Sequence, residues 1–381
     1  MTPDDCVRLE ARLEESPDDF DAWLDLARSR NEARQAPAAL SAANNALTLQ
    51  PSSLEALYEK GIAELEAGFV EAAVSAFTSI LAIQPLHSHV LMSLGSAYYQ
   101  LRRLEVASVV WEQAVRVAPA PLETLENLAV CYQRLGDFEK VAEVWSRVLA
   151  LDAQHPLALH HLAALGLRPV PTRSPEEYVV RLFDEFAEEF DRTLNALNYQ
   201  GPRLLADLIA DNAIVPLAHF CVLDAGCGTG LCATFLRPWA DQLEGVDLSP
   251  KMLAQAKGRG LYDRLHCEEM SCFCARHVAV FHLIVAADSL NYFGDLEGIL
   301  HALAGSLLPQ GRLAFFVEKA DIEMATGFRL ERHGRYSHQP VYVREQLTAS
   351  GLRIIAENEA TIRSESGHPV TAHFFLAGHN G

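Results

Sequence analysis

Residues 220–231 read Phe-Cys-Val-Leu-Asp-Ala-Gly-Cys-Gly-Thr-Gly-Leu. The apolar run Phe220–Leu223 ends in Asp224, and glycines follow at alternate positions, Gly226, Gly228 and Gly230. A buried parallel strand that stops at a glycine turn and opens a helix is spelled this way. Alternating glycines let the backbone lie flat against a ligand and take angles that other residues avoid. The helix start beyond them offers free N–H groups. The stretch reads as the floor of a nucleotide-like cofactor site.

The residues downstream narrow the cofactor. Leu231–Trp239 reads as a helix, and Leu243–Val246 as a second strand ending in Asp247. A carboxylate at that tip accepts hydrogen bonds from both hydroxyls of a ribose. Ser249 then suits a helix cap and Pro250 a first turn. A dinucleotide site wants G-x-G-x-x-G/A with its helix start on a pyrophosphate. Here Leu231 stands where the third small residue belongs. Asp224 would oppose a pyrophosphate, whereas it suits an ammonium or sulfonium. S-adenosylmethionine meets that description.

Val222–Leu231 and Gly245–Lys257 together resemble the first two motifs of class I S-adenosylmethionine-dependent methyltransferases, and the likeness runs from Pro175 to about Gly378. The resemblance implies an α/β Rossmann-like domain with a mixed, mostly parallel seven-stranded sheet. It implies cofactor contacts at Asp224, Gly226, Gly228, Gly230, Asp247, Leu248 and Met252. Glu269 would face the adenine amino group, where the family usually has Asp, and Met270 would cover the ring. Phe281–Ala287 reads as a buried central strand closed by Asp288, at the edge where ligands lie in such sheets. Asp288 is expected to touch the cofactor or to act as a base. The segment 287–292, Ala-Asp-Ser-Leu-Asn-Tyr, is not the Asn/Asp-Pro-Pro-Tyr signature of amide and exocyclic-amine methyltransferases.

Methyl transfer asks mainly for positioning, because the sulfonium is already activated. A base is needed only where the acceptor must lose a proton. The candidates are Asp288 and His338. His338 is expected on a loop, Gly334-Arg-Tyr-Ser-His338, between the fifth strand (Arg312–Glu318) and a helix at Val341–Ser350. That region forms the substrate wall in the family, so Tyr292, Tyr336 and His338 are the expected acceptor contacts. Arg329, Arg335, Arg363, Glu365 and His368 read either as a carboxylate-binding group or as ordinary ion pairs.

Ahead of the cofactor domain, Phe183, Phe186, Ala187 and Phe190 share one face of a helix expected over Pro175–Leu197. The acids Asp184, Glu185, Glu188, Glu189 and Asp191 fill the other side. Phe-Asp-Glu-Phe-Ala-Glu-Glu-Phe-Asp is similar to the aromatic-Asp helix that covers the cofactor in many class I methyltransferases. A solvated acidic face is the plainer alternative. Residues 166–174, with Pro169 and Pro171, read as a linker.

The first 165 residues repeat with a period of 34. Pro17, Pro51, Pro85 and Pro119 align, as do Phe77, Trp111 and Trp145, and Gly61 with Gly95. A small residue in one helix lets the next pack close, an aromatic fills the gap, and the proline stops the pair. The pattern resembles the tetratricopeptide repeat. Units are expected at Phe20–Ser53, Leu54–His87, Ser88–Pro121 and Leu122–His155, with a capping helix over His155–Leu165. An all-α solenoid (1–165), a linker (166–174) and a methyltransferase domain (175–381) follow. Joined to the cofactor motifs, the repeats make the chain resemble bacterial predicted methyltransferases that carry such repeats. The array's concave face is expected to bind a protein partner or a second copy.

Composition bounds the rest. The formal net charge is −19. Residues 1–170 hold 13 Lys and Arg against 23 Asp and Glu, or −10, and the remainder holds 18 against 27, or −9. Neither half offers a basic surface for nucleic acid. The eight cysteines are scattered, as expected of a reduced cytoplasmic protein. The acidic N-terminus does not read as a secretory signal. Ala72–Leu101 carries no charge, but Pro85, His87 and His89 interrupt it, so no membrane span is expected. Cys267, Cys272 and Cys274 with His277 lack the paired spacing of a zinc site, and no metal is expected. The acceptor, small molecule or partner protein, stays open. The alternative is a scaffold whose cofactor-binding domain is inactive.

Overall fold

The computed structural model describes residues 3–119, 121–212, 219–320, 324–365 and 368–379. The chain divides into two compact units, Met1–His155 and Pro156–Gly381.

The first unit is a stack of helix pairs. After a lone helix Pro3–Glu15, the pairs are Phe20–Glu32 with Ala36–Leu49, Leu54–Glu66 with Val70–Ile83, Ser88–Gln100 with Leu104–Val117, and Leu122–Leu135 with Phe138–Leu151. Their first residues fall where the period of 34 places them. Asp19, Ser53 and His87, one period apart, each accept a backbone N–H three residues on and so cap their helices. The small-to-aromatic packing is present. A Cβ on Gly61 would lie 2.6 Å from Phe77, and one on Gly95 would lie 2.5 Å from Trp111. The turn within each pair uses a left-handed residue at Arg34, Gly68, Arg102 and Gly136, again one period apart. The uncharged stretch at 72–101 falls on two separate helices, and no described helix is long and apolar enough to cross a membrane.

The second unit begins with the helix expected to cap the array, Pro156–Ala164. It packs on this unit: Ala163 and Ala164 cluster with Leu330 and Tyr336, and His160 Nε2 meets Gly334 O at 3.1 Å. The expected linker is also tied down here. Thr172 O accepts from Gly294 N and Asp295 N, and Ser174 N donates to Tyr292 O. Buried backbone needs such partners, which a flexible linker would lack.

The strands are β1 (Phe220–Ala225), β2 (Ala240–Asp247), β3 (Arg264–Cys267), β4 (Phe281–Ala286), β5 (Leu307–Lys319), β6 (Phe328–Leu330), β7 (Tyr336–His338), β8 (Leu352–Glu365) and β9 (His368–His379). β3, β2, β1, β4 and β5 pair in that order, all parallel. β9 runs antiparallel to β5, and β8 pairs with β9. Those seven are the expected sheet. Among the described residues two short strands are added, the hairpin β6–β7, with β7 beside the end of β5. Leu223, Leu283, Ile284, Phe315, Phe316 and Phe374 are fully buried, as a sheet covered on both faces requires.

The helix expected over 175–197 is two: Glu176–Phe186 and Phe190–Ala196. The break falls at residues 187–189, so the aromatic face turns partway along rather than continuing straight.

Candidate active site

The carboxyl ends of β1, β2 and β4 meet at one edge, and the two helices of 176–196 lie over it. Between them is a cavity of about 350 Å³, within the usual range for small-molecule sites. Of the expected contacts, Gly226, Gly228, Asp247, Leu248, Glu269 and Met270 line it, together with Asp288 and Tyr292.

Asp247 ends β2. Its Oδ2 accepts from Gly228 N at 2.8 Å and its Oδ1 from Ser249 N at 2.8 Å. Each carboxylate oxygen keeps acceptor capacity beyond one such bond. Burial raises the Asp247 pKa, and those backbone N–H groups oppose the rise. Gly226 is needed for closeness: a Cβ there would fall 2.4 Å from Ser289 Cβ. Gly228 is needed for its left-handed φ of 54° and faces open space. Glu269 caps the helix Met270–Arg276 through Cys272 N, and Arg173 Nη2 lies 3.7 Å from its Oε1. Arg173, which sequence reasoning missed, reaches the cavity from the tied-down segment and stacks its guanidinium 5.2 Å from the Phe293 ring centre.

Asp224 and Gly230 lie outside the lining. Asp224 is buried beneath the glycine turn, where Oδ2 accepts from Tyr262 Oη at 2.6 Å and Oδ1 has no partner among the described residues. Burial pushes its pKa up to about 7, against the Tyr262 hydroxyl and with help from the Asp247 charge. Gly230 packs on Tyr262: a Cβ would come within 2.8 Å of that ring. Its role is therefore to let the tyrosine reach Asp224. Met252 is fully buried in the core, its N–H bonded to the Ser249 cap, and it does not reach the cavity.

His338 and Tyr336 are corrected as well. Both sit in strand β7, fully buried, and neither lines the cavity. His338 Nε2 meets Gly294 O at 3.1 Å, and its ring stacks on Tyr342. Burial lowers its pKa to about 4, so it is a weak base near neutral pH. Tyr336 Oη donates to Pro171 O at 2.9 Å. The hairpin turns both side chains into packing, which an isolated loop would not have done.

The acidic residues of the covering helices are not all solvated. Asp184 Oδ1 accepts from Ser249 Oγ at 2.5 Å, and Asp191 Oδ1 from Thr229 Oγ1 at 2.6 Å. Asp191 also pairs with Arg259. These contacts strap the helices to the two motif loops. Phe183, Phe186 and Phe190 face the cavity, and Phe183 packs edge-on to Tyr292 with ring centres 5.4 Å apart.

Asp288 has a left-handed φ of 60°, an uncommon conformation for a residue with a side chain. Oδ1 accepts from Asn291 Nδ2 at 2.6 Å and Oδ2 from Arg363 Nη1 at 3.0 Å. Burial raises its pKa, and Arg363 opposes the rise. Arg335, Arg363 and Glu365 also line the cavity, whereas Arg329 pairs with Glu331 away from it and His368 is exposed at the start of β9. Among the described residues no group of three or more His, Cys, Asp or Glu is arranged to hold a metal.

The residues fit the cationic, ribose-bearing cofactor that the motifs imply. Asp247 has acceptor capacity at the cavity wall, Gly228 leaves open space, and a buried carboxylate oxygen of Asp224 lies unpaired below.

Residues 187–357 match the family described as "Methyltransferase domain", and residues 31–159 match "Psidin, N-terminal TPR repeats region". The second unit thus carries a region similar to methyltransferase domains, on a mostly parallel α/β sheet. The helix pairs of the first unit are similar to a tetratricopeptide-type repeat region. Human "Methyltransferase-like protein 27" is 42% identical over 87 residues, 23% of this chain and 36% of that protein. "Malonyl-(acyl-carrier protein) O-methyltransferase" of Magnetococcus marinus is 33% identical over 131 residues, 32% of this chain and 48% of that one. The chain thus spans less than half the length of these two curated relatives. A solved structure of Burkholderia thailandensis 1,6-didemethyltoxoflavin-N1-methyltransferase with S-adenosylhomocysteine aligns at 20% identity, covering 56% of this chain and 93% of its own, with a TM-score of 0.43.

Proposed function

We propose that the chain transfers a methyl group from S-adenosylmethionine to an acceptor held beneath Phe183, Phe186 and Phe190, and that the repeat region recruits a protein partner or a second copy. The observation that carries this is Asp247. It is held by the Gly228 and Ser249 N–H groups at the wall of the cavity, with acceptor capacity for ribose hydroxyls. The cofactor, when bound, supplies a methyl already activated as a sulfonium.

In this reading Asp247 and Leu248 hold the ribose side, and Glu269 and Met270 the base. Asp224 supports the glycine turn through Tyr262 and contributes negative charge beneath the cofactor. The strapped aromatic helices exclude water, which strengthens electrostatic interactions inside the cavity. Asp288 is the group placed to take a proton from the acceptor. Repeats and catalytic unit in one chain suit delivery of an acceptor by a bound partner, in the cytoplasm. The net charge of −19 disfavours nucleic acid as the acceptor.

The test is a radiolabelled methyl assay on fractionated lysate of the native host. Label in a protein or small-molecule fraction, lost with Asp247→Ala, supports the proposal. A protein that binds partners yet transfers no label to any fraction would be a scaffold instead.

A further inference from the structure

The acceptor end of the cavity carries its own charge balance. Arg363 Nε meets Glu365 Oε1 at 2.6 Å, Nη2 meets Glu318 Oε1 at 2.5 Å, and Nη1 meets Asp288 Oδ2 at 3.0 Å. Arg335 Nε meets the same Glu318 oxygen at 2.9 Å, and Nη2 meets Glu365 Oε1 at 3.0 Å. Two cations therefore share three carboxylates, and the cluster is net negative when all three are ionised. His333, 3.7 Å from Glu318, is exposed, so water screens any charge it carries when protonated.

Arg363 and Glu318 are buried, so water screens this cluster poorly. An incoming carboxylate or phosphate would add negative charge to a site already in excess. It would also compete for guanidinium N–H groups that Asp288, Glu318 and Glu365 occupy. A neutral O–H or N–H meets the opposite situation, because Asp288 and Glu365 offer lone pairs at the cavity wall. Much of the rest of the wall is apolar, with Phe186, Phe190, Leu194, Leu197, Tyr199 and Leu231 among its lining. Asp288 is fixed for that task. Asn291 Nδ2 holds its Oδ1, and Asn291 Oδ1 in turn accepts from Glu318 N at 2.9 Å.

Resting on the methyl-transfer reading above, we infer that the acceptor is an uncharged, ring-bearing molecule that presents an O–H or N–H to Asp288, and that the Arg335–Arg363 cluster excludes carboxylate and phosphate acceptors. In the transfer, a lone pair of the acceptor heteroatom forms the bond to the methyl carbon. The carbon–sulfur bond breaks with its electrons remaining on sulfur, and the acceptor proton passes to Asp288. Arg363 keeps Glu318 and Glu365 as partners when Asp288 is neutralised.

The experiment titrates the full chain, saturated with S-adenosylhomocysteine, with 2-naphthol and with 2-naphthoate at pH 7. The two share a ring system and differ in charge. The expected result is naphthol binding at least about tenfold tighter, since like-charge juxtaposition is costly in a buried site. Asp288→Asn, checked by retained S-adenosylhomocysteine binding, narrows the gap by improving naphthoate. Equal affinities, tighter naphthoate, or no binding of either probe by a protein that binds S-adenosylhomocysteine overturns the acceptor class and leaves the methyl-transfer reading standing. No binding of S-adenosylhomocysteine overturns both. Should Asp288→Asn fail to fold, the two probes on the unaltered chain still decide.

Discussion

Asp184 and Ser249 lie 65 positions apart, and their side chains meet at 2.5 Å. Ser249 is also the N-cap of Pro250–Gly258 and donates its backbone N–H to Asp247. One carboxylate on the covering helix is thereby linked, through a single serine, to the carboxylate expected to hold the ribose. Asp184→Ala removes a charge-assisted bond, a loss of about 1.5–3 kcal/mol locally. Residues 176–196 are then expected to exchange their amide hydrogens about tenfold faster or more, while exchange in β1 and β4 stays unchanged. Uniform exchange across both would show that the strap does not hold the helix.

The pH dependence of stability tests Asp224. Its folded pKa of about 7 lies above the usual 3.8, so the folded state binds the proton more tightly than the unfolded chain. Stability is fullest below about pH 4 for this group and is lost as pH rises toward 7, by a few kcal/mol at most. Asp224→Asn should flatten that slope between about pH 4 and pH 7 in denaturant unfolding of the unliganded protein. An unchanged slope would place the carboxylate elsewhere.

His338→Ala should act on stability. It deletes a buried ring, its bond to Gly294 O and its stacking on Tyr342, a loss of about 2–4 kcal/mol. The folded fraction should bind S-adenosylhomocysteine as tightly as the parent. A variant of full stability with abolished methyl transfer would restore His338 as a base.

In the repeats, Gly95→Ala drives a Cβ to 2.5 Å from Trp111 and should lower stability by about 1–3 kcal/mol. Arg34 is exposed and left-handed at φ 54°, so Arg34→Gly should gain up to about 1 kcal/mol. Thermal unfolding with the two changes moving in opposite directions is the expected outcome.

Some of this architecture is written openly in the sequence. The period of 34 places each helix pair because proline, glycine and aromatic residues recur for packing reasons that local spacing records. The glycine turn and Asp247 are legible because strand, turn and helix are contiguous there. What sequence hides is long-range. Asp184 and Asp191 look like solvated acids, since nothing local says that Ser249 and Thr229 lie opposite. His338 looks like a loop residue, because three-residue strands such as Tyr336–His338 carry almost no pattern. Arg335, Arg363, Glu318 and Asp288 come from four separate segments, so their charge balance exists only in the fold.

The central claim is a cofactor site built around Asp247, and calorimetric titration of the full chain with S-adenosylhomocysteine tests it most directly. The expected result is one site per chain, with affinity falling about tenfold or more in Asp247→Ala as two ribose bonds to a carboxylate are lost. No heat with either S-adenosylhomocysteine or S-adenosylmethionine, or an Asp247→Ala affinity equal to the parent, would contradict it.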